Sequence, residues 1–355
     1  MSTWDSYPAD YRTKEVHSIL AAVRAGECLA IVGLSGAGKS NLLGFLVNRA
    51  NPEGDLVLVD CNRLVEGTPA GFFRLVRSSL GDSQMAPDEL AALERTVEQR
   101  LQAAPHRLCL LFDRFDALSP SLLLPLSNSL RSLRDTHKYQ LTYGIATRRP
   151  LDPQSELAEL FFAHTLWLGP LSPGDARWSA DQYAQRQGIA WDEKVLQKLV
   201  ELSWGYPSLL RAACEAVADG APLEVPALLS HSAVQQRMNE FWADLPSPED
   251  LKRSGLEGHP MLLQKRPASF DLSDLTAKEA LLMKYFLAHP NQLCEKDDLI
   301  RAVWPEDRIY EGGIRDDSLA QLVRRLRRKI EVNPANPVFI ENAPGRGYLF
   351  HAPGI

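Results

Sequence analysis

Along the first 170 residues, short apolar runs alternate with stretches whose apolar positions recur every three or four residues. CLAIVG (Cys28–Gly33), DLVLVDCN (Asp55–Asn62), RLCLLFD (Arg107–Asp113), YQLTYGIATRRP (Tyr139–Pro150) and HTLWLGPL (His164–Leu171) read as strands. Between them, Asn41–Ala50, Thr68–Leu80, Pro87–Ala104 and Ser121–His137 carry helical spacing. Alternation of this kind predicts an α/β fold: a parallel sheet with helices on both faces. From Ser172 to Asp219 the pattern turns wholly helical, broken at WGYP (Trp204–Pro207), and one more helix is expected over Val225–Leu245. Leu245–Pro260 mixes Pro, Gly and charge and reads as a linker. Beyond it, Leu275–Pro290, Cys294–Pro305 and Asp316–Glu331 are amphipathic, and Val338–Phe350 reads as two strands around a Pro-Gly-Arg-Gly turn.

The first strand runs into IVGLSGAGKS, which reads G-x-x-x-x-G-K-[ST] from Gly33 to Ser40. Each position has a phosphate-binding job. Gly33, Gly36 and Gly38, with Ala37 between, let the backbone turn tightly enough to aim N–H groups at a polyphosphate. Lys39 reaches the β/γ oxygens, and the Ser40 hydroxyl, with Asn41 following at the start of the helix, is placed to ligate Mg²⁺. LCLLFDRFD (Leu108–Asp116) supplies the second half of the expected site. Four apolar residues ending in Asp113 put a carboxylate at the tip of a central strand beside the loop, where it can hold Mg²⁺ through water. The next strand ends in ATRRP, so Thr147, Arg148 and Arg149 emerge at the same sheet edge. A cation there distinguishes a triphosphate from a diphosphate. The expected ligand is ATP with Mg²⁺; no N-K-x-D motif follows to select guanine.

The phosphate loop, the D-x-x-D at Asp113/Asp116, the T-R at Thr147–Arg148 and G-Y-P at Gly205–Pro207 together resemble the STAND branch of AAA+-like ATPases, over roughly residues 10–245. The resemblance implies a P-loop NTPase core over residues 1–170 and a helical lid over 171–245. It implies that Pro207 contacts the base and that Arg148 senses the γ-phosphate. Arg211, one helical turn beyond Pro207, is either a second phosphate sensor or an ordinary surface arginine. The sequence departs from related ATPases at Arg114, where a glutamate usually polarises the attacking water. Slow hydrolysis is therefore expected unless Asp116 or a partner supplies that function. The long C-terminal sensor repeats usual in STAND proteins are also missing, so the trigger, a protein or a small molecule, is open.

After a linker over 246–260, residues 261–355 form the last predicted domain. Three helices followed by a hairpin make a winged helix-turn-helix. LT-x-x-E, VW, LRRKIE and GRGY resemble the OmpR/PhoB-type DNA-binding domain, with Met261–Asp271 expected as the remnant of that family's leading sheet. In the third helix, Leu319, Leu322, Val323, Leu326 and Ile330 mark a buried stripe. Ser318, Gln321, Arg324, Arg325 and Arg328 project on the other side, a footprint for double-stranded DNA in which arginines reach phosphates and guanine edges. That family often places Arg before the first Gly of the wing; here Pro344 stands there, and Arg346 at the tip is the candidate minor-groove contact.

Composition constrains the rest. Of 355 residues, 45% are hydrophobic and 24% charged, with net charge −6, as expected of two or three soluble globular domains. The absence of a long apolar run, of a signal-peptide core and of paired cysteines points to a cytoplasmic chain with reduced thiols and no membrane partner. The expected function is an ATP-binding switch that controls its own winged helix through ATP-dependent self-association, with transcription regulation as output. The alternatives are a DNA-remodelling or loading ATPase of the initiator or transposition type, and an ATP-gated protein-interaction adaptor.

Overall fold

The computed structural model describes residues 3–51, 56–103, 107–153, 155–161, 163–244, 246–264, 275–289, 292–304, 314–331, 334, 337 and 339–351. The chain divides into two compact units. One comprises residues 1–237 and 247–257, the other residues 238–246 and 258–355.

In the first unit, α1 (Thr13–Ala25) precedes β1 (Leu29–Val32) and α2 (Lys39–Arg49). Then come β2 (Leu56–Asp60), α3 (Pro69–Ser79), α4 (Glu89–Ala103), β3 (Leu108–Asp113), α5 (Pro120–Thr136), β4 (Leu141–Thr147) and β5 (Thr165–Trp167). The five strands form one sheet in the order β2-β3-β4-β1-β5, with every pair parallel. The expected doubly covered α/β sheet is therefore present. All residues of β1, β3 and β4 are buried, which explains why those strands are almost continuously apolar rather than alternating. Phe72, Phe112, Phe115 and Tyr143 pack together on one face of the sheet, with neighbouring ring centroids 5.6–6.0 Å apart. Register sets the site. Asp60 lies opposite Asp113, and Val32 opposite Thr147, so these residues all reach the same carboxyl edge. β1 sits between β4 and β5, the switch point at which such sheets bind ligands.

The helical region follows as α6 (Pro173–Gln187), α7 (Glu193–Ser203) and α8 (Pro207–Ala218). Ser172 caps α6 by accepting from the Asp175 N–H at 3.1 Å, and Asp192 caps α7 through Val195 N–H at 2.9 Å. The break at WGYP is as expected. Trp204 takes a left-handed φ of 51°, Gly205 one of 68°, and Pro207 opens α8. The single helix expected over Val225–Leu245 is instead two, α9 (Val225–Ser230) and α10 (Ser232–Ala243), divided at the extended His231. The stretch read as a linker contains α11 (Pro248–Arg253), closed by a capping box between Ser247 and Asp250. Pro, Gly and charge there encode a capped helix and its stop at Gly255 (φ 67°) rather than an unstructured tether.

The second unit contains α12 (Pro260–Gln264), α13 (Ala277–Ala288), β6 (Leu293–Glu295), α14 (Lys296–Val303), α15 (Ile314–Ile330), β7 (Ile340–Ala343) and β8 (Gly347–Phe350). The strands make an antiparallel sheet, β6-β8-β7. Three helices and a hairpin are thus confirmed, with a third strand over residues expected to begin the second helix. Met261–Gln264, expected within a leading sheet, is helical; the rest of Met261–Asp271 lies outside the described residues. At Gly347 (φ 155°) a Cβ would lie 2.1 Å from the Cys294 carbonyl oxygen, so the β6–β8 pairing demands glycine there. Among the described residues, no helix is long and apolar enough to cross a membrane.

Candidate functional site

The loop between β1 and α2 is built from its glycines. Gly36 and Gly38 take φ of 82° and 88°, left-handed values that side chains rarely adopt, and Gly38 is the N-cap of α2. Every carbonyl from Gly33 to Ala37 accepts a hydrogen bond. Lys39 Nζ donates to Gly33 and, at 3.5 Å, to Leu34. The Tyr206 hydroxyl donates to Ser35 at 2.7 Å, the Ser208 N–H to Gly36 at 3.2 Å, and Arg12 Nη2 to Ala37 at 2.9 Å. The loop is thus held by its own lysine, by the lid's α8 and by the N-terminal segment. A Cβ on Gly36 would fall 2.0 Å from Ser208 Oγ, so the lid sits directly on this glycine. The first turn of α2 then presents a helix N-terminus, a natural anion site.

Above this loop opens a cavity of about 570 Å³. Lys39, Ser40 and Asn41 line it from α2, with Gly36 and Gly38 from the loop. Arg114 and Asp116 come from the end of β3, Arg148 from the end of β4, Pro207 and Arg211 from α8, and Arg237 from α10. Five cations therefore face one carboxylate, a balance suited to a polyphosphate. Asp116 Oδ2 accepts from the Arg148 N–H at 3.1 Å and from its Nε at 2.7 Å, which orients that arginine at the sheet edge. Arg114, which stands where related ATPases carry glutamate, has a left-handed φ of 54° and borders the cavity rather than turning away from it. The Arg211 guanidinium lies 5.0 Å from the Tyr183 ring centroid while lining the cavity.

Four expected residues lie behind this cavity rather than on its wall. Gly33 donates to the Thr147 carbonyl at 3.0 Å, and Ala37 is fully buried. Asp113 is 5% exposed and its Oδ1 has no hydrogen-bond partner; Thr147 Oγ1 is likewise buried and unsatisfied. Buried polar atoms are normally paired, so these two at the sheet edge mark where a further group fits. Asp113 with the Ser40 hydroxyl suits a hard, oxygen-seeking Mg²⁺ shared with a phosphate, most of whose ligands are water and phosphate oxygens. Beside them, burial and then the carboxylates of Asp113, Asp60 and Asp116 push the Cys61 thiol up to about 12, leaving it a neutral, inert SH. Arg12, Tyr206, Ser208 and Arg237 were missed. Tyr206 and Ser208 flank a proline that was recognised, whereas Arg12 and Arg237 stand in segments with no motif.

In the second unit, Leu319, Leu322, Val323, Leu326 and Ile330 of α15 are all buried, and Ser318, Gln321, Arg324, Arg325 and Arg328 are exposed, as expected. The basic run divides by function. Arg327 donates from Nε and Nη2 to the Ile340 carbonyl at 3.0 and 2.6 Å, and Lys329 pairs with Glu279 at 2.7 Å, so these two hold the domain together. Glu331 accepts from the Phe339 and Ile340 N–H groups, which fixes the wing to the end of α15. Arg346 is exposed at the tip of the β7–β8 turn, after Gly345 at φ 75°.

Residues 271–350 match the family described as "Transcriptional regulatory protein, C terminal", and residues 23–146 match a family described as "AAA domain". The regulatory protein VirG of Agrobacterium tumefaciens (strain 15955) is 37% identical over 78 residues, 22% of this chain and 28% of VirG. The alkaline phosphatase synthesis transcriptional regulatory protein SphR of Synechococcus elongatus is 31% identical over 106 residues, 29% of this chain and 38% of SphR. The chain thus spans well under half the length of these curated relatives. Among solved structures, the Walker-type ATPase of Pyrococcus abyssi aligns over 96% of this chain and 93% of its own, at 15% identity and a TM-score of 0.47. The chain joins an N-terminal AAA-type P-loop domain to a C-terminal OmpR/PhoB-type winged helix, the DNA-binding part of transcriptional regulators.

Proposed function

We propose that this protein is a cytoplasmic transcriptional regulator of the STAND type, in which ATP and Mg²⁺ control DNA binding by the chain's own winged helix. One observation carries the reading: a phosphate loop opening on a five-cation cavity shares a chain with a helix whose basic face is exposed. Lys39 and the N-terminus of α2 hold the β- and γ-phosphates, Ser40 and Asp113 hold the metal, and Pro207 borders the nucleotide on the lid side. The bound metal neutralises phosphate charge. Arg148, oriented by Asp116, reads the γ-phosphate, with Arg211 lining the same cavity.

ATP occupancy then sets the lid and promotes self-association. Several winged helices on one assembly gain affinity through effective concentration rather than through new contacts. A protein or small molecule triggers the loading. Arg114 supports a switch rather than a motor, since no carboxylate directly follows Asp113 to polarise water. Steady-state phosphate release from the full chain with Mg²⁺ and ATP tests this. Turnover well below about 1 s⁻¹, the low end of ordinary enzymes, is expected. Faster turnover without a partner contradicts the switch and favours a DNA-remodelling ATPase.

A further inference from the structure

The N-terminal segment makes a contact that the nucleotide site does not require for chemistry. Trp4 packs on Gly44 of α2 so closely that a Cβ there would lie 2.2 Å from its ring. Tyr7 packs tilted against Trp178 of α6 with ring centroids 4.6 Å apart, and Tyr11 edge-on against Phe45 of α2 at 5.2 Å. The segment therefore lies against both the helix that follows the phosphate loop and the first helix of the lid.

Arg12 ends this segment, and its side chain is 1% exposed. Its Nη2 donates to the Ala37 carbonyl at 2.9 Å and to the Gly169 carbonyl at 3.0 Å, just before the lid begins. Its backbone N–H donates at 3.1 Å to Asp175 of α6, and its Nη1 meets Glu15 at 3.2 Å. Its φ of 47° is left-handed, an unfavourable conformation for a side-chain-bearing residue that persists only where its surroundings impose it. A peptide unit is planar and trans, so holding the Ala37 carbonyl toward Arg12 turns the Gly38 N–H the opposite way. One residue thus sets the aim of a loop amide and grips the lid.

We infer that Arg12 is a positioning residue that couples the phosphate loop to the lid, so that nucleotide loading and lid docking report on one another. This rests on the reading of the loop as a nucleotide site. The test uses the full chain and two variants. Arg12→Met keeps the length without the donors; Arg12→Gly suits the left-handed backbone and so separates lost contacts from lost folding. Binding of a fluorescent ATP analogue should weaken about tenfold in both, the loss of hydrogen bonds to a charged group. Amide hydrogen exchange should show ATP protecting residues 36–41 together with 173–187 in the wild type, but only 36–41 in the variants. Weaker binding with lid protection intact overturns the coupling, as does unchanged binding with unchanged protection. If the wild type takes no ATP, the nucleotide reading fails. The strut is then judged without ligand: Arg12→Gly must speed exchange in both segments, and unchanged exchange overturns it.

Discussion

The two units use arginine in opposite ways. In the first, Arg114, Arg148, Arg211 and Arg237 arrive from four different elements and converge on one concave cavity with Lys39. In the second, Arg324, Arg325 and Arg328 come from a single helix and stand on its convex, exposed face. Convergent cations concentrate potential on a compact anion such as a triphosphate. A row on a helix matches an extended polyanion, where each contact is nearly independent. The difference teaches that net charge is a poor guide. At −6 the chain is acidic, yet both of its candidate sites are strongly basic.

This contrast sets the order of expected effects. At the convex site, Arg325→Ala should cost about 1–3 kcal/mol at the preferred sequence and relax discrimination at one base position, while Arg328→Ala should weaken all sequences alike and lower the salt slope by about one. Anisotropy titrations on cognate and scrambled duplexes separate the two. A uniform loss for both arginines would leave only phosphate contacts. At the concave site, Arg148→Ala should weaken ATP analogues about tenfold while nearly sparing ADP, if this arginine, oriented by Asp116, reads the γ-phosphate as proposed. Calorimetry with both nucleotides checks it, and equal losses would remove the proposed sensor role.

The smallest effect concerns acid stability. Burial alone would raise the Glu279 carboxyl, but hydrogen bonds from Lys329 and Thr276 hold it below its ordinary value. A depressed folded value gives stability that is full above the unfolded value and lost as pH falls through the folded one. Thermal melts of the full chain should therefore show the winged-helix transition falling below about pH 4, with Glu279→Gln flattening that acid limb. An unchanged limb would mean that the pair contributes nothing. Glu89 behaves alike in the first unit: burial would raise it, but Arg74 and Arg77 hold it down. Acid should weaken both units.

Much of this was legible in the sequence because local constraints are strong. The phosphate loop needs glycine at fixed spacing, buried parallel strands need apolar runs, and α15 needs its Leu stripe. What escaped was set by long-range contact. Arg12 meets Ala37 across 25 residues and Asp175 across 163, and nothing around it in the chain marks that role. Cys294 and Glu295 look like the start of an amphipathic helix, yet pairing with β8 makes them part of a strand. The apparent linker over 246–260 carried its own caps, which composition obscured. Arg327 and Lys329 stand in the same basic stretch as the candidate DNA contacts; packing shows that they serve the wing and Glu279.

The most direct test of the central claim is duplex DNA binding by the full chain, measured by anisotropy across a salt series with and without ATP and Mg²⁺. ATP should tighten binding and steepen its salt dependence as winged helices assemble, and Lys39→Ala should abolish the ATP effect while leaving the weak nucleotide-free binding in place. Identical binding with and without ATP, or DNA binding that does not depend on salt, would contradict an ATP-controlled regulator.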